Sequence, residues 1–205
     1  MGALQENLLN EIKNLYKNRK EEIEKRIEEF KNKKRKEEIL AELIFCLLTP
    51  QSKAKFCWQA AKNILEKKLS CEEEIRKELE KIRFKNRKAR YVLNAMENFD
   101  KIKNIKNMKA NEAREYLVKN IKGMGYKEAS HFLRNIGFLN FAILDRHILK
   151  NLKNLGIIDE IPKNLSRKKY IEIEEKMRKF SEEISVPMSH LDLLLWCKET
   201  GEVFK

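Results

Sequence analysis

The sequence predicts an all-α protein, and three observations carry that prediction. Leu, Ile, Glu, Lys and Ala dominate the 205 residues, only three prolines and six glycines interrupt them, and β-branched runs are scarce. Apolar residues at 42% against 38% charged place the chain among folded domains rather than disordered ones. The length allows one large or two small domains with a buried core.

The first element is a long helix. From Leu4 to about Lys34, the residues Leu8, Ile12, Leu15, Ile23, Ile27 and Phe30 recur among charges at helical spacings. The basic cluster Lys31 to Lys36 ends that pattern. Glu38 to Leu48 is apolar nearly all round, the mark of a central buried helix. Thr49-Pro50-Gln51-Ser52 interrupts it, because proline disfavours helix in the residue before it. Ser52 is placed to cap a helix through Phe56, Cys57, Ala60, Ala61, Ile64 and Leu65. Further helices are expected over 72–82, 86–99, 111–121, 126–136, 145–155, 167–184 and 188–199. No repeat or low-complexity linker divides the chain. Motif position suggests one functional unit over 1–205 built of two helical lobes with a cleft between them. One lobe spans 35–110; the other spans 111–205 together with the N-terminal helix 1–34.

Forty-five basic against thirty-two acidic residues give a net charge of +13. A charge-rich surface of the kind found in heat-adapted proteins accounts for the charged content but not for the imbalance. The surplus points to a polyanionic partner, since basic groups on a nucleic acid release its condensed counterions. Cys46, Cys57, Cys71 and Cys197 show no short metal-ligand spacing and lie mostly in apolar contexts, as expected of buried thiols in a reducing compartment. No structural zinc or iron–sulfur cluster is expected. With no apolar span of membrane length and no signal-peptide core, the expected location is cytoplasmic and nucleoid-associated.

The chemistry-bearing stretch is Gly123-Met124-Gly125-Tyr126-Lys127, succeeded by Leu144-Asp145-Arg146-His147. Asn111 can cap a helix through Ala113, Leu117, Val118 and Ile121, and a second begins at Tyr126 or Lys127, with Ala129, Phe132, Leu133 and Ile136 facing inward. Gly123 and Gly125 let the connecting hairpin take positive φ and admit a close backbone. The free N–H groups of the second helix can then bind a phosphate oxygen, helped by the helix dipole. Lys127 at that helix start is a candidate nucleophile. Asp145 precedes an apolar-periodic helix (Ile148, Leu149, Leu152, Leu155), so it is an N-cap candidate. Capping and catalysis are compatible, because the cap carboxylate is held in place and ionised. The expectation is attack by Lys127 on C1′ of a nucleotide, with Asp145 accepting its proton and steadying oxocarbenium-like charge.

The run from Ile121 to His147 resembles the helix-hairpin-helix DNA glycosylase superfamily, with its Gly-hydrophobic-Gly hairpin, lysine and later Asp-x-His. Leu47-Leu48-Thr49-Pro50-Gln51, Arg83-Phe84-Lys85-Asn86-Arg87-Lys88-Ala89-Arg90-Tyr91, Lys127 to Asn135 and Trp196 to Lys205 are similar to its archaeal 8-oxoguanine DNA glycosylase/lyase branch. The likeness spans about residue 40 to the end. Lys122 stands where many members carry proline, and the four-cysteine cluster of the endonuclease III relatives is absent. The resemblance implies a bifunctional base-excision repair enzyme. Its lysine displaces the damaged base and forms a Schiff base with the sugar, and the strand is nicked by β-elimination after the lesion is flipped out of the duplex.

The resemblance also implies how the base is read. Trp196 stacks on the flipped purine, with Phe84 as a possible second face; a stacked base contributes about 1–3 kcal/mol. The α-carboxylate of Lys205 accepts the N7–H that 8-oxoguanine has and guanine lacks, with Asp192 and Ser130 as weaker candidates. Gln51 fills the space left by the extruded base. Arg87, Arg146, His131 and His147 are DNA-contact candidates. Arg83, Arg87 and Arg90 are expected on one helix face as a phosphate-binding strip beside Phe84, with Lys85 in the run and Lys88 to the side. No organic cofactor is expected; a monovalent cation could bridge the hairpin carbonyls and a DNA phosphate. The expected partner is duplex DNA containing 8-oxoguanine, bound by a monomer. Two alternatives stay open at this point: a helix-hairpin-helix DNA-binding module without chemistry, in which Lys127 only contacts phosphate, and a glycosylase for another lesion.

Overall fold

The computed structural model describes residues 3–33 and 35–205, and among them all regular structure is helical. Two compact units are present, one of residues 32–136 and the other of the N-terminal helix with residues 137–205. The division falls after Ile136, not near residue 110 as the motif position suggests. The reason is packing. The hairpin's second helix lies against the same central helix as the elements before it.

In the first unit, α2 (Lys36–Leu48) is that central helix. Leu43, Ile44, Phe45, Cys46 and Leu48 have no exposed surface, each large aliphatic or aromatic side chain stabilising by about 1.5–3 kcal/mol. Packed around it are α3 (Ala54–Glu66), α5 (Lys85–Glu97) and α7 (Tyr126–Asn135). The short α4 (Glu72–Glu78) leans on α3 and α5, two 3-10 turns come after α5, and α6 (Ala110–Asn120) pairs with α7. The one acid in the middle of α2, Glu42, is fully buried. It is answered by Lys33 Nζ at 2.8 Å and by Asn135 Nδ2 at 2.8 Å. A buried carboxylate without such partners would be strongly destabilising.

Two expected caps do different work. Asn111 lies inside the first turn of α6, which begins at Ala110. Ser52 leaves α3 uncapped by a side chain; its Oγ instead accepts from the Arg83 backbone N–H at 3.1 Å and from Lys88 Nζ at 3.0 Å. A tertiary partner has outcompeted the local one.

In the other unit, α1 (Ala3–Lys31), α8 (Arg146–Asn154) and α9 (Arg167–Glu183) each pack on α10 (Met188–Thr200). The expected α1 stripe is real at Ile12, Ile23, Ile27 and Phe30, which are buried, whereas Leu8 and Leu15 are only half-buried. The helix stops at Lys31; Lys34, at its expected end, lies outside the described residues. Gly137, with φ of +104°, brings its backbone so close to α1 that a Cβ would lie 3.3 Å from the Lys31 Cα. No helix of the described residues is long and apolar enough to cross a membrane. Cys46, Cys57 and Cys197 are buried free thiols, whereas Cys71 is exposed.

Candidate functional site

The helix-hairpin-helix is formed by α6, the turn 121–125 and α7. Ile121 and Met124 anchor the turn by burial, and the Met124 N–H closes it on the Ile121 carbonyl at 3.2 Å. Gly123 has φ of +85° and lies on the face of Tyr91, where a Cβ would sit 2.3 Å from a ring carbon. Glycine is required twice over at that position, for backbone conformation and for space. Arg114, buried on α6, ties the two helices. Its guanidinium lies over the Tyr126 ring at 5.2 Å and donates to Ser130 Oγ at 3.3 Å.

Lys127 sits in the first turn of α7 with a quarter of its side chain exposed. Its ammonium pairs with Glu128 Oε1 at 3.0 Å, while Glu128 Oε2 accepts from the Gly125 N–H at 3.2 Å. One carboxylate thus joins the hairpin glycine to the amine. The motif alone does not single out Glu128, although an acid at the third helical position is the usual partner of an N-terminal backbone N–H.

Sequence reasoning misses Lys88 altogether. Expected as a lateral member of a basic strip, it is 4% exposed and spends all three ammonium hydrogens on the turn between α2 and α3. They go to Leu48 O at 2.7 Å, Pro50 O at 2.7 Å and Ser52 Oγ at 3.0 Å. Burial pushes its pKa down to about 8, with Lys127 and Arg83 adding repulsion against the attraction of Cys57 and Glu128. The neighbouring Cys57 thiol bonds the Leu48 carbonyl at 3.2 Å, and burial pushes it up to about 11. Within the turn that Lys88 holds, Gln51 is exposed and left-handed at φ +55°.

The expected basic strip is also altered. Phe84 takes φ of +62° and stands before α5, so Arg83 is outside the helix. Arg83 and Arg87 instead approach the 45%-exposed Phe84 ring at 5.3 and 5.4 Å. Lys85 pairs with Glu80 at 3.2 Å and Arg90 with Glu72 at 3.4 Å. His131 is buried with its ring edge-on to Phe45 at 5.3 Å. Ser130 has no exposed surface, so in this structure it ties α7 to α6 and presents nothing to a base.

Asp145 lies in the other unit, at the start of α8, and is the N-cap expected of it. Its Oδ1 accepts from the N–H groups of His147 at 2.8 Å and Ile148 at 2.9 Å, so the cap does not use Oδ2. The approach to Asp145 is an irregular segment whose backbone is satisfied by side chains of α9 and α10. Ala142 N–H donates to Glu174 at 3.0 Å, Ile143 N–H to Asp192 at 2.9 Å and Leu144 N–H to Tyr170 Oη at 3.3 Å. Tyr170 in turn donates to the Ala142 carbonyl at 2.6 Å. Buried backbone outside regular structure needs such partners. Asp192, 3% exposed, is therefore an anchor for that segment and not an open receptor.

Arg146 is exposed; His147 faces Glu199, which also accepts from Lys150 at 3.0 Å and Asn151 at 3.1 Å. The Lys150 hydrogen bond holds the Glu199 carboxyl below its ordinary range against the opposing effect of burial. Trp196 and Phe204 are half-buried with ring centroids 6.4 Å apart, and Lys205 is 7% exposed.

A basic all-α chain with a glycine hairpin, a lysine in the first turn beyond it and a capping aspartate has the make-up of a helix-hairpin-helix DNA-repair protein. The family model described as 8-oxoguanine DNA glycosylase matches residues 23–186, and the chain belongs to that family. It is 49% identical to the 8-oxoguanine DNA glycosylase/AP lyase of Fusobacterium nucleatum, over 96% of this chain and 97% of that one. It is 47% identical to the protein of the same description from Methanocaldococcus jannaschii, over 91% and 93%. The crystal structure of the Thermotoga maritima 8-oxoguanine DNA glycosylase superposes with a TM-score of 0.91 at 37% identity, covering 98% of this chain and all of that one. The M. jannaschii 8-oxoguanine glycosylase/lyase, in complex with DNA containing 8-oxoguanine, superposes with a TM-score of 0.88 at 43% identity over 97% and 99%.

Proposed function

We propose that this protein excises 8-oxoguanine from duplex DNA and then nicks the strand at the resulting abasic site. The observation that carries the reading is Lys127 in the first turn behind the glycine hairpin, in a chain nearly half identical to curated 8-oxoguanine DNA glycosylase/AP lyases. The Lys127 amine, once it has given up its proton and left Glu128, attacks C1′. The C1′–N9 bond breaks, and the base departs with a proton. Asp145 steadies positive charge on the sugar and takes the proton from the attacking nitrogen. The sugar ring then opens: C1′–O4′ breaks, O4′ takes a proton from solvent, and C1′=N forms as a Schiff base that acidifies C2′; loss of the C2′ proton then breaks the C3′–O bond and expels the 3′ phosphate.

In the same reading Trp196 stacks on the extruded purine. Phe84, exposed between two arginines, offers that purine a second face. Gln51 enters the vacated space, and Lys205 reads the N7 edge that distinguishes the lesion from guanine. A monovalent cation at the hairpin carbonyls would join the backbone to a phosphate. The protein acts as a monomer on DNA in the cytoplasm.

Borohydride trapping tests the reading. An 8-oxoguanine duplex with the wild-type protein and reductant should give a covalent adduct, and Lys127→Gln should abolish it while DNA binding persists. An undiminished adduct in that variant removes Lys127 as nucleophile. Binding without adduct or excision in the wild type leaves the non-catalytic module, and adduct only with a different lesion leaves another substrate. Removal of Lys205 should narrow the rate gap between 8-oxoguanine and guanine; an unchanged gap removes the tail from recognition.

A further inference from the structure

The turn 49–52 holds a non-glycine residue in the left-handed region, and bonds from outside the turn add to its own. Gln51 is left-handed at φ +55° without being glycine, and it stays exposed. The rotation defining φ of Gln51 moves the peptide plane that carries the Pro50 carbonyl, and that carbonyl is gripped by Lys88 Nζ at 2.7 Å. The same ammonium holds Leu48 O, at the end of α2, and Ser52 Oγ, on the far side of Gln51. Ser52 Oγ is tied further to the Arg83 backbone N–H, and the Ser52 N–H to the Thr49 carbonyl at 3.0 Å. Of these five bonds around one exposed residue, three come from a single buried cation reaching in from α5.

We propose that Lys88 is a positioning residue for Gln51, its ammonium locking the 49–52 turn in the form that holds the glutamine ready to enter the duplex. This rests on the reading of Gln51 as the residue that fills the space left by the flipped base. A preformed wedge spares the ordering cost that a mobile turn would incur on binding. Lys88 touches neither substrate nor the reacting atoms in this account; it acts only through the turn.

A double-mutant cycle on two substrates tests it, with Lys88→Met, Gln51→Ala and the double variant compared by single-turnover excision from an 8-oxoguanine duplex. Each single change should slow excision by on the order of 10-fold, and adding Gln51→Ala to Lys88→Met should cost less than about twofold more. Borohydride trapping on a duplex that already contains an abasic site reports the Lys127 amine with no base left to eject. Trapping there should fall no further in Lys88→Met than it does in Gln51→Ala. Ser52→Ala, which removes one anchor and keeps the cation, should give a smaller loss that likewise vanishes in the Gln51→Ala background, and it serves if Lys88→Met fails to fold.

Losses that multiply, or a Gln51→Ala variant as fast as wild type, overturn the proposal. So does loss of abasic-site trapping in Lys88→Met alone, since Lys88 would then act on Lys127 and not on the turn. If the wild type neither excises nor traps, the functional reading itself has failed, and the cycle distinguishes that case at its first step.

Discussion

Lys88 makes the stability of this protein depend on pH in a calculable way. Its pKa is depressed from 10.5 to about 8 by burial, so the folded chain gives up that proton while the unfolded chain still holds it. Between pH 8 and 10.5 the unfolded state therefore binds more protons, and stability rises with pH across that window. Each unit is equivalent to about 1.4 kcal/mol, so the buried charge costs about 3 kcal/mol at neutral pH. Cys57 works in the opposite sense. Its thiol is raised from 9.0 to about 11, which contributes stability below pH 9 that is lost as pH climbs toward 11. The wild type should gain between pH 8 and 9 from Lys88 alone, then level off as the two effects oppose. Urea unfolding of wild type and Lys88→Met at pH 7, 8, 9 and 10 isolates the lysine, because titrations other than that of its neighbour Cys57 cancel in the difference. Relative to the variant, the wild type should gain about 1.4 kcal/mol per unit above pH 8. A difference that stays flat from pH 7 to 10 would show that burial does not push the Lys88 ammonium toward the free amine.

Asp145→Asn keeps an equally good cap, so unfolding free energy should change by less than about 1 kcal/mol while base release slows by on the order of 10² to 10⁴; near-wild-type turnover would return Asp145 to a capping role only. Gly123→Ala places a Cβ against the Tyr91 ring at a backbone angle alanine resists; a loss of about 2 kcal/mol or more is expected in denaturant titrations. Tyr170→Phe removes the hydroxyl that serves both Ala142 O and Leu144 N–H. It should cost about 1–3 kcal/mol and slow excision through the segment leading to Asp145, with lower Tm and slower single-turnover rates measured together.

Helices are legible in the sequence because periodicity and breakers agree along most of this chain. The element expected over 126–136 is α7 at Tyr126–Asn135, and that over 167–184 is α9 at Arg167–Glu183. The glycine hairpin and the Asp145 cap are legible for the same reason, since each depends on residues within a few positions of itself. Features that depend on partners far along the chain are not. Ser52 has the right type and place for a cap, yet a lysine thirty-six positions away claims it. Lys88 looks like any other base in Arg83 to Arg90 until α5 is packed against α2 and its side chain turns inward. Ser130 and Asp192 are candidates by polarity; burial assigns them to holding α7 and the 141–145 segment.

The two units differ in how their stretches of sequence are gathered, and this has a bearing on synthesis. The unit of residues 32–136 is continuous, so it can condense while the ribosome is still adding residues 137–205. The other must wait: α1 is made long before α10, the helix it packs on. Through most of translation Ile12, Ile23, Ile27 and Phe30 have no native surface to cover them. Their charged neighbours, dense along α1, give the nascent segment the solubility it needs until its partner arrives.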